Sequence, residues 1–273
     1  MTTASNSQPE TAYLVFDIES VPDGLLISRT KYREENLSPA DAVARAQAEA
    51  RDLSPTGSDF LPVSFQVPVS VCVARVAADF QFLAIQCLDE PQFRPEEITK
   101  RFWKGLDHYK RAKLVSFNGR SFDMPLMELA AFRYGLSAPL HFKGERGGAR
   151  NRYSEQHLDL HELLTNYGAC RMAGGLNLLS KLLGKPGKWD TTGDQVYELW
   201  RQGQYATINA YCSYDVLDTY FVFLRTRVLT GELTLEREQE IVQETKTWLV
   251  QETARQPHLQ RYLDNWGDWK PWM

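Results

Sequence analysis

Three short stretches hold the side chains most able to do chemistry. They are "YLVFDIESVPDG" (13–24), "FNGRSFDMP" (117–125) and "YCSYDVLDTY" (211–220). In the first, an apolar run leads into Asp17 and Glu19. On a strand, residues i and i+2 share a side, so these two carboxylates converge. Converging, partly buried carboxylates repel each other, and the arrangement is costly without a cation between them. Hard divalent ions such as Mg²⁺ or Mn²⁺ accept oxygen ligands of this kind. In the second stretch Asp123 opens a helix, where the dipole favours an acid. Gly119 permits a tight turn before it, and Asn118 and Ser121 can hold that turn through side-chain hydrogen bonds. In the third, Tyr211 and Asp215 are four apart and share a helical face. Tyr214 and Asp218 have the same spacing and offer a second frame. Ile208, Tyr211 and Cys212 favour the first frame. Asp218 lies about 300° around from Asp215 and is expected to point toward solvent. Taken singly, each stretch has an ordinary structural reading: a strand surfacing, a helix start, an amphipathic helix with incidental acids.

The elements that must position these residues follow from periodicity. Residues 12–18 read as a central strand buried on both faces. Residues 67–76 and 80–88 read as a β-hairpin, and 113–119 as a further strand. Helices are expected over 38–51, capped by Ser38 with Pro39 at its first position, over 95–111, 122–134 and 207–229, and across 234–264. Residues 157–164 start as a short strand and continue helically. The Pro-, Gly- and Arg-rich stretch 139–155 is expected to be a loop. Strands alternating with helices in this order predict an α/β fold, a mixed β-sheet flanked by helices.

The chain has 273 residues, is 43% hydrophobic and 24% charged, and carries a net charge of −4. That balance supports a sizeable core and argues against binding long duplex nucleic acid by bulk positive charge. The four cysteines form no C-x-x-C pair. This speaks against zinc or redox motifs and for a reducing compartment. No segment approaches membrane-spanning length and the N-terminus lacks a signal-peptide pattern, so the cytoplasm is the expected location.

The three stretches, in this order, resemble the three exonuclease motifs of the DEDD superfamily of 3′–5′ exonucleases. The Tyr-Cys-x-x-Asp form of the third is similar to the stand-alone proteins related to the proofreading exonuclease domain of B-family DNA polymerases. So are "HLDLHELLTNYGA" and "LNLLSKLLGKPGKWDTTGDQVYELW". The sister subtype places His five residues before the last Asp; position 210 is Ala, so the tyrosine subtype is favoured. The resemblance spans residues 12–228. It implies a ribonuclease H-like fold over 12–230; the helical insertion at about 25–65 is a departure from that core, and the residues themselves read as a disordered lead-in over 1–11 and a helical extension over 231–273. It implies Asp17, Glu19, Asp123 and Asp215 as ligands of two Mg²⁺ or Mn²⁺ ions, with Tyr211 as the fifth catalytic residue. The implied reaction is phosphodiester hydrolysis from the 3′ end of nucleic acid, single-stranded DNA favoured, releasing nucleoside 5′-monophosphates in a proofreading-like or DNA-repair setting. The alternatives are a non-catalytic nucleic-acid-binding module and a phosphoester hydrolase of small nucleotides. Asn118 and Phe122, beside the second motif, are candidate substrate contacts. So are Lys143, Arg146, Arg150 and Arg152 of the basic 139–155 stretch, with Lys181, Lys185 and Lys188 as a second basic group. Phe16 and Phe117 also flank the motifs, Phe16 as a core residue. Trp266, Trp269 and Trp272 are expected to pack the tail onto the body.

Overall fold

The computed structural model describes residues 10–143, 145–188 and 195–271; at 143 and 145–147 only the backbone is described. Its sheet has five strands in the order β3-β2-β1-β4-β5. The central strand β1 (Thr11–Pro22) pairs antiparallel with β2 (Gln66–Ala77), which forms a hairpin with β3 (Phe82–Cys87). On its other side β1 runs parallel to β4 (Lys113–Ser116), and β4 runs parallel to β5 (His157–Asp159). Of the lead-in expected over 1–11, residues 1–9 lie outside the described residues, and Thr11 already pairs with Ala77. The fold is the mixed, helix-flanked sheet that the strand and helix order predicts.

Alternation along β1 divides its side chains between two cores. Leu14, Phe16 and Ile18 pack with α3 (Pro95–His108) and α4 (Asp123–Tyr134) through Phe102 and Met127. Phe16 is therefore core, as expected. Val15 points the other way, into the cluster that holds Val216, Tyr220 and Phe223 of α9 (Tyr205–Leu229). Asp17 and Glu19 continue the Val15 series, so they come out on the face that α9 covers. That helix is apolar nearly all round, as a helix packed on several sides must be. Tyr220, Phe221 and Phe223 are almost fully buried. Each such side chain contributes roughly 1.5–3 kcal/mol, which fixes the helix on the sheet.

Several elements depart from the sequence reading. The stretch 139–155, expected as a loop, contains α5 (Pro139–Lys143) and a 3₁₀ turn at Glu145–Arg150. The insertion holds an unexpected α1 (Gly24–Lys31), capped by the Asp23 carboxylate accepting from the Leu26 amide at 3.0 Å. It precedes the expected α2 (Pro39–Leu53), and the two share a small core of Ile27, Tyr32, Val43, Ala46 and Leu61. Short helices α6 (Leu160–Leu164), α7 (Gly175–Leu182) and α8 (Val196–Arg201) fill the stretch before α9. The C-terminal helix is broken into α10 (Leu235–Glu252) and α11 (Leu259–Asp264). Pro257 lies in the break and has no amide to donate. A disulfide joins Cys72 to Cys87, although the sequence spacing of the cysteines offered no pair. The two are register partners across β2 and β3, a neighbour relation that only the hairpin creates.

The tail packs as expected. The Trp266 ring meets Phe221 edge-on at 5.1 Å, and the Arg225 guanidinium lies 4.4 Å from the Trp269 ring centre. Trp272 lies outside the described residues. Among the described residues no helix is long and apolar enough to cross a membrane.

Candidate active site

Three distant segments meet at one end of β1. Asp17, Glu19 and Asp215 each offer a carboxylate oxygen within 4.8 Å of the others. Asp17 and Glu19 arrive at the C-terminal end of β1, and α9 lays Asp215 over them. Asp123 is the first residue of α4, after the turn that follows β4. Because β1 and β4 are parallel, their carboxyl ends share an edge of the sheet, the usual place for ligands in such folds. Asp123 is 5% exposed, and its Oδ1 has no hydrogen-bond partner. Its charge is the largest influence on Asp17 after burial itself.

The electrostatics express crowding. Burial, then the charges of Asp123 and Asp215, push the Asp17 carboxyl well above its usual range. Burial, then Asp17 and Asp215, do the same to Glu19. Asp123 is raised to about 7, chiefly by burial, with Asp159 and Asp215 adding to the shift and the backbone amides of Asp123 and Ile18 opposing it. Burial also raises Asp215, while Lys188 and the Tyr211 hydroxyl pull it back. The Lys188 ammonium lies 3.7 Å from Asp215 Oδ2 and 5.3 Å from the centre of the Tyr211 ring. Burial works against its charge, yet Asp215, Glu19 and Asp17 together raise its pKa. Its charge in turn acts on Asp17, Glu19 and Asp215. A buried carboxylate oxygen without a donor, beside three carboxylates and one ammonium, suits divalent cations with all-oxygen coordination. Tyr211 hydrogen-bonds Asp215, and burial followed by the surrounding acids drives its phenol far upward, so it stays protonated. Cys212 on the same helix turn donates its thiol to the Asp17 carbonyl at 3.2 Å.

The two helical frames separate cleanly. Tyr211 and Asp215 face β1. Tyr214 and Asp218 face the C-terminal extension: the Tyr214 hydroxyl donates to the His258 carbonyl at 2.7 Å, and the Tyr262 hydroxyl donates to Asp218 Oδ1 at 2.6 Å. Asp218, expected to point toward solvent, is 1% exposed instead. The extension covers the side of α9 that the periodicity left open. Burial raises Asp218 to about 7, with the Tyr262 hydrogen bond acting against the shift.

The turn that delivers Asp123 is held by a residue the sequence reading passed over. Asp159, at the end of β5, accepts from the amides of Asn118 and Arg120, both at 2.9 Å, and from His161 at 3.0 Å. It thus caps α6 and anchors the 118–122 turn at once. The signal lay in "HLDLHELL", an acid just before a helical run. Gly119 leaves no room for a side chain: a Cβ would sit 2.3 Å from Ser116 Oγ and 3.2 Å from Asp123 Oδ2. Lys188 is positioned in a similar way. Its amide donates to Asn177 Oδ1 at 2.8 Å, and Gly187 before it has a positive φ of 59°.

The remaining candidates are spread around this centre. Asn118 is exposed, and Phe122 is half-buried immediately before Asp123. Phe117 packs partly into the α9 core. The Arg150 guanidinium pairs with Glu128 at 3.1 Å and Arg152 with Glu162 at 3.0 Å. Both line a polar cavity with Arg120, Ser121 and His157. The side chains of Lys143 and Arg146 lie outside what is described. Lys181 is exposed, whereas Lys185 is buried, with its ammonium 3.9 Å above the Trp266 ring and donating to the Gly267 carbonyl. A cavity of ≈ 510 Å³ between α3 and the sheet contains none of the four acids. The acids lie on and beside the opposite face of β1.

A mixed sheet with helices on both faces, and carboxylates gathered at the ends of its parallel strands, is the ribonuclease H-like arrangement that the sequence resemblance implies. Residues 58–266 match a family model described as a predicted 3′–5′ exonuclease related to the exonuclease domain of PolB, and the chain belongs to that family. The β1 acids lie ahead of the matched range. In structure the chain is similar to the family B DNA polymerase of the hyperthermophilic archaeon Pyrobaculum calidifontis, with a TM-score of 0.51 and 15% identity. That match covers 82% of this chain and 25% of the polymerase chain, a likeness of fold. No curated protein matches the sequence.

Proposed function

We propose that the chain is a metal-dependent 3′–5′ exonuclease that removes nucleoside 5′-monophosphates from the 3′ end of single-stranded nucleic acid, DNA in preference. The observation that carries this reading is the clustering of Asp17, Glu19 and Asp215, from two distant segments, beside the Lys188 ammonium, with the buried Asp123 of a third segment close enough for its charge to act on Asp17. Family membership supports the reaction class.

Asp17, Glu19, Asp123 and Asp215 would hold a pair of Mg²⁺ or Mn²⁺ ions. Two such ions lower the pKa of a water nucleophile and stabilise the departing 3′ oxygen. The other residues act on positions and charges. A phenol that stays protonated serves poorly as a base at neutral pH, so Tyr211 orients the attacking water as a hydrogen-bond partner. The Lys188 ammonium would turn from Asp215 to a phosphate oxygen, offsetting charge where the strand's own anion enters an acidic site. Asp159 is a positioning residue acting through the 118–122 turn. Asn118 and Phe122, on that turn, would contact the terminal nucleotides.

The test is digestion of 5′-labelled single-stranded DNA and RNA with Mg²⁺, Mn²⁺ or EDTA. A ladder shortening from the 3′ end, abolished by EDTA and by Asp17→Ala, is expected. Binding without a ladder would make the chain a nucleic-acid-binding module; turnover confined to free nucleotides would make it a small-substrate phosphohydrolase.

A further inference from the structure

Two buried charged side chains, Lys185 and Asp218, have no part in the proposed chemistry, and one segment of the C-terminal extension holds both. Lys185, in the loop after α7, places its ammonium 3.9 Å from the centre of the Trp266 ring and 5.2 Å from that of Phe221, and donates to the Gly267 carbonyl at 3.1 Å. Burial works against its charge, and Asp268 of the same tail works for it. The Gly267 amide donates to the Gly184 carbonyl at 2.7 Å. The two backbones touch there: a Cβ on Gly184 would sit 2.8 Å from the Asp268 carbonyl carbon, and one on Gly267 would sit 2.8 Å from the Gly184 carbonyl oxygen. Asp218, which α9 turns away from the β1 cluster, accepts from the Tyr262 hydroxyl of α11 and the Ser180 hydroxyl of α7. Residues 262–268 thus grip α7 and the first half of the 183–188 loop. The second half carries Lys188. Its amide is held by Asn177 Oδ1 of α7 at 2.8 Å, and a Cβ on Gly187 would sit 2.5 Å from that same oxygen. The contacts run without a break from the tail, through α7 and the loop, to the ammonium 3.7 Å from Asp215 Oδ2.

We propose that the tail 262–268 is a positioning element for the reaction: Trp266, Gly267 and Lys185 lock the 183–188 loop, and so hold Lys188 beside Asp215, ready for a substrate phosphate. The inference rests on the exonuclease reading. A lysine is a point charge on a flexible stem. It delivers that charge to one oxygen only when its backbone is fixed, and a misplacement of about 1 Å at a working group costs on the order of 100-fold. Trp266 and Lys185 act through Lys188 and not on the substrate. The buried ammonium of Lys185 is the bolt, with the Trp266 ring and the Gly267 carbonyl as its socket.

The test measures kcat and KM on a 5′-labelled thymidine oligonucleotide with Mg²⁺ for Trp266→Ala, Trp266→Phe and Gly267→Ala, each with Lys188 present and in a Lys188→Ala background. Lys188→Ala alone should lower kcat/KM. Trp266→Ala is expected to lower it about tenfold, at the low end for residues that orient a working group. Trp266→Phe keeps a ring face for the Lys185 ammonium and should stay within about twofold of the wild type. In the Lys188→Ala background the loss from Trp266→Ala should shrink below about twofold, because the group it positions is gone. Gly267→Ala keeps the Trp266 ring and presses on the Gly184 carbonyl. It should show the same dependence on Lys188, which decides the matter if Trp266→Ala folds poorly. Fluorescence anisotropy on the same oligonucleotide, with Ca²⁺ in place of Mg²⁺, reads binding: it should weaken in Trp266→Ala, and weaken no further once Lys188 is absent. No loss in either tail variant, equal losses with and without Lys188, or full activity in Lys188→Ala would each overturn the positioning role and leave the exonuclease reading standing. Absence of any metal-dependent 3′ shortening by the wild type would remove that reading, and this inference with it.

Discussion

Two buried acidic sites in this molecule are built on opposite plans. Asp89, in the link between β3 and α3, has a fully buried carboxylate that meets two arginines. Arg94 reaches it with Nη2 at 2.8 Å, Nε at 2.9 Å and its amide at 3.0 Å, and Arg101 with Nη2 at 3.0 Å. The Arg94 hydrogen bonds outweigh burial and hold its pKa down at about 2. At the end of β1, Asp17, Glu19 and Asp215 share one lysine, Asp123 adds its charge to Asp17, and all four pKa values are raised. Asp89 is finished within the chain. The β1 cluster is not neutralised within the chain in this way. Burial is common to both sites; what differs is the countercharge each finds within the chain.

The largest effect should come from altering the β1 cluster. Asp17→Asn and Asp123→Asn should each lower exonuclease activity by more than about 100-fold, beyond the loss typical for residues behind the ligands. Removing a repelled carboxylate should meanwhile raise, or leave unchanged, the melting temperature in EDTA. Calorimetry showing either variant clearly destabilised without metal would mean that the cluster is structural in the way Asp89 is. Next in size, Asp159→Asn should lose activity by about 10–100-fold through the loosened 118–122 turn, with a crystal structure showing Asp123 displaced. Tyr211→Phe keeps the ring and removes the hydroxyl, and a loss of about tenfold is expected, at the low end for a group that positions a reactant.

The pH dependence sharpens the contrast because the two sites have opposite signs. A raised native pKa means the folded state holds protons that the unfolded state has released. The metal-free protein should therefore lose stability as pH rises from about 4 through about 7, the range between ordinary carboxyl values and those of Asp123 and Asp218. Asp89 contributes in the other direction: its stabilisation is present above the unfolded pKa near 4 and is lost as pH falls toward about 2. Thermal melts in EDTA should fall between pH 5 and 8, and Mg²⁺ should flatten that slope. A slope unaffected by divalent ions would count against the cluster as their site. The smallest effect belongs to Asp89→Asn, a loss of about 1 kcal/mol because its arginines are half-exposed. It should leave metal response and nuclease activity as they are.

How much of this was readable in advance depended on how local the signal was. Asp17 and Glu19 could be placed together because strand alternation is a property of two residues. Choosing Asp215 over Asp218 required only helical periodicity. The fate of Asp218 did not follow, because the helix that buries it begins more than 40 residues later. Asp159 went unread as an anchor because its acceptors' partners, the amides of Asn118 and Arg120, are about 40 residues away in sequence. The pairing of Arg150 with Glu128 and of Arg152 with Glu162 did not follow from the basic stretch itself, because the partners lie outside it.

From its order of residues alone, the chain determined a buried β1 ending in two acids, an acid at the start of α4, and a tyrosine and an acid on one face of α9. These depend on backbone periods of two and 3.6 residues, which any reader of the chain can count. Tertiary structure decided that the three segments meet, that Lys188 pairs with Asp215, and that the insertion sets Phe60 against Phe122. Those are distances between parts of the chain that share no local geometry, and they exist only once the parallel pairing of β1 with β4 and the packing of α9 have closed the fold.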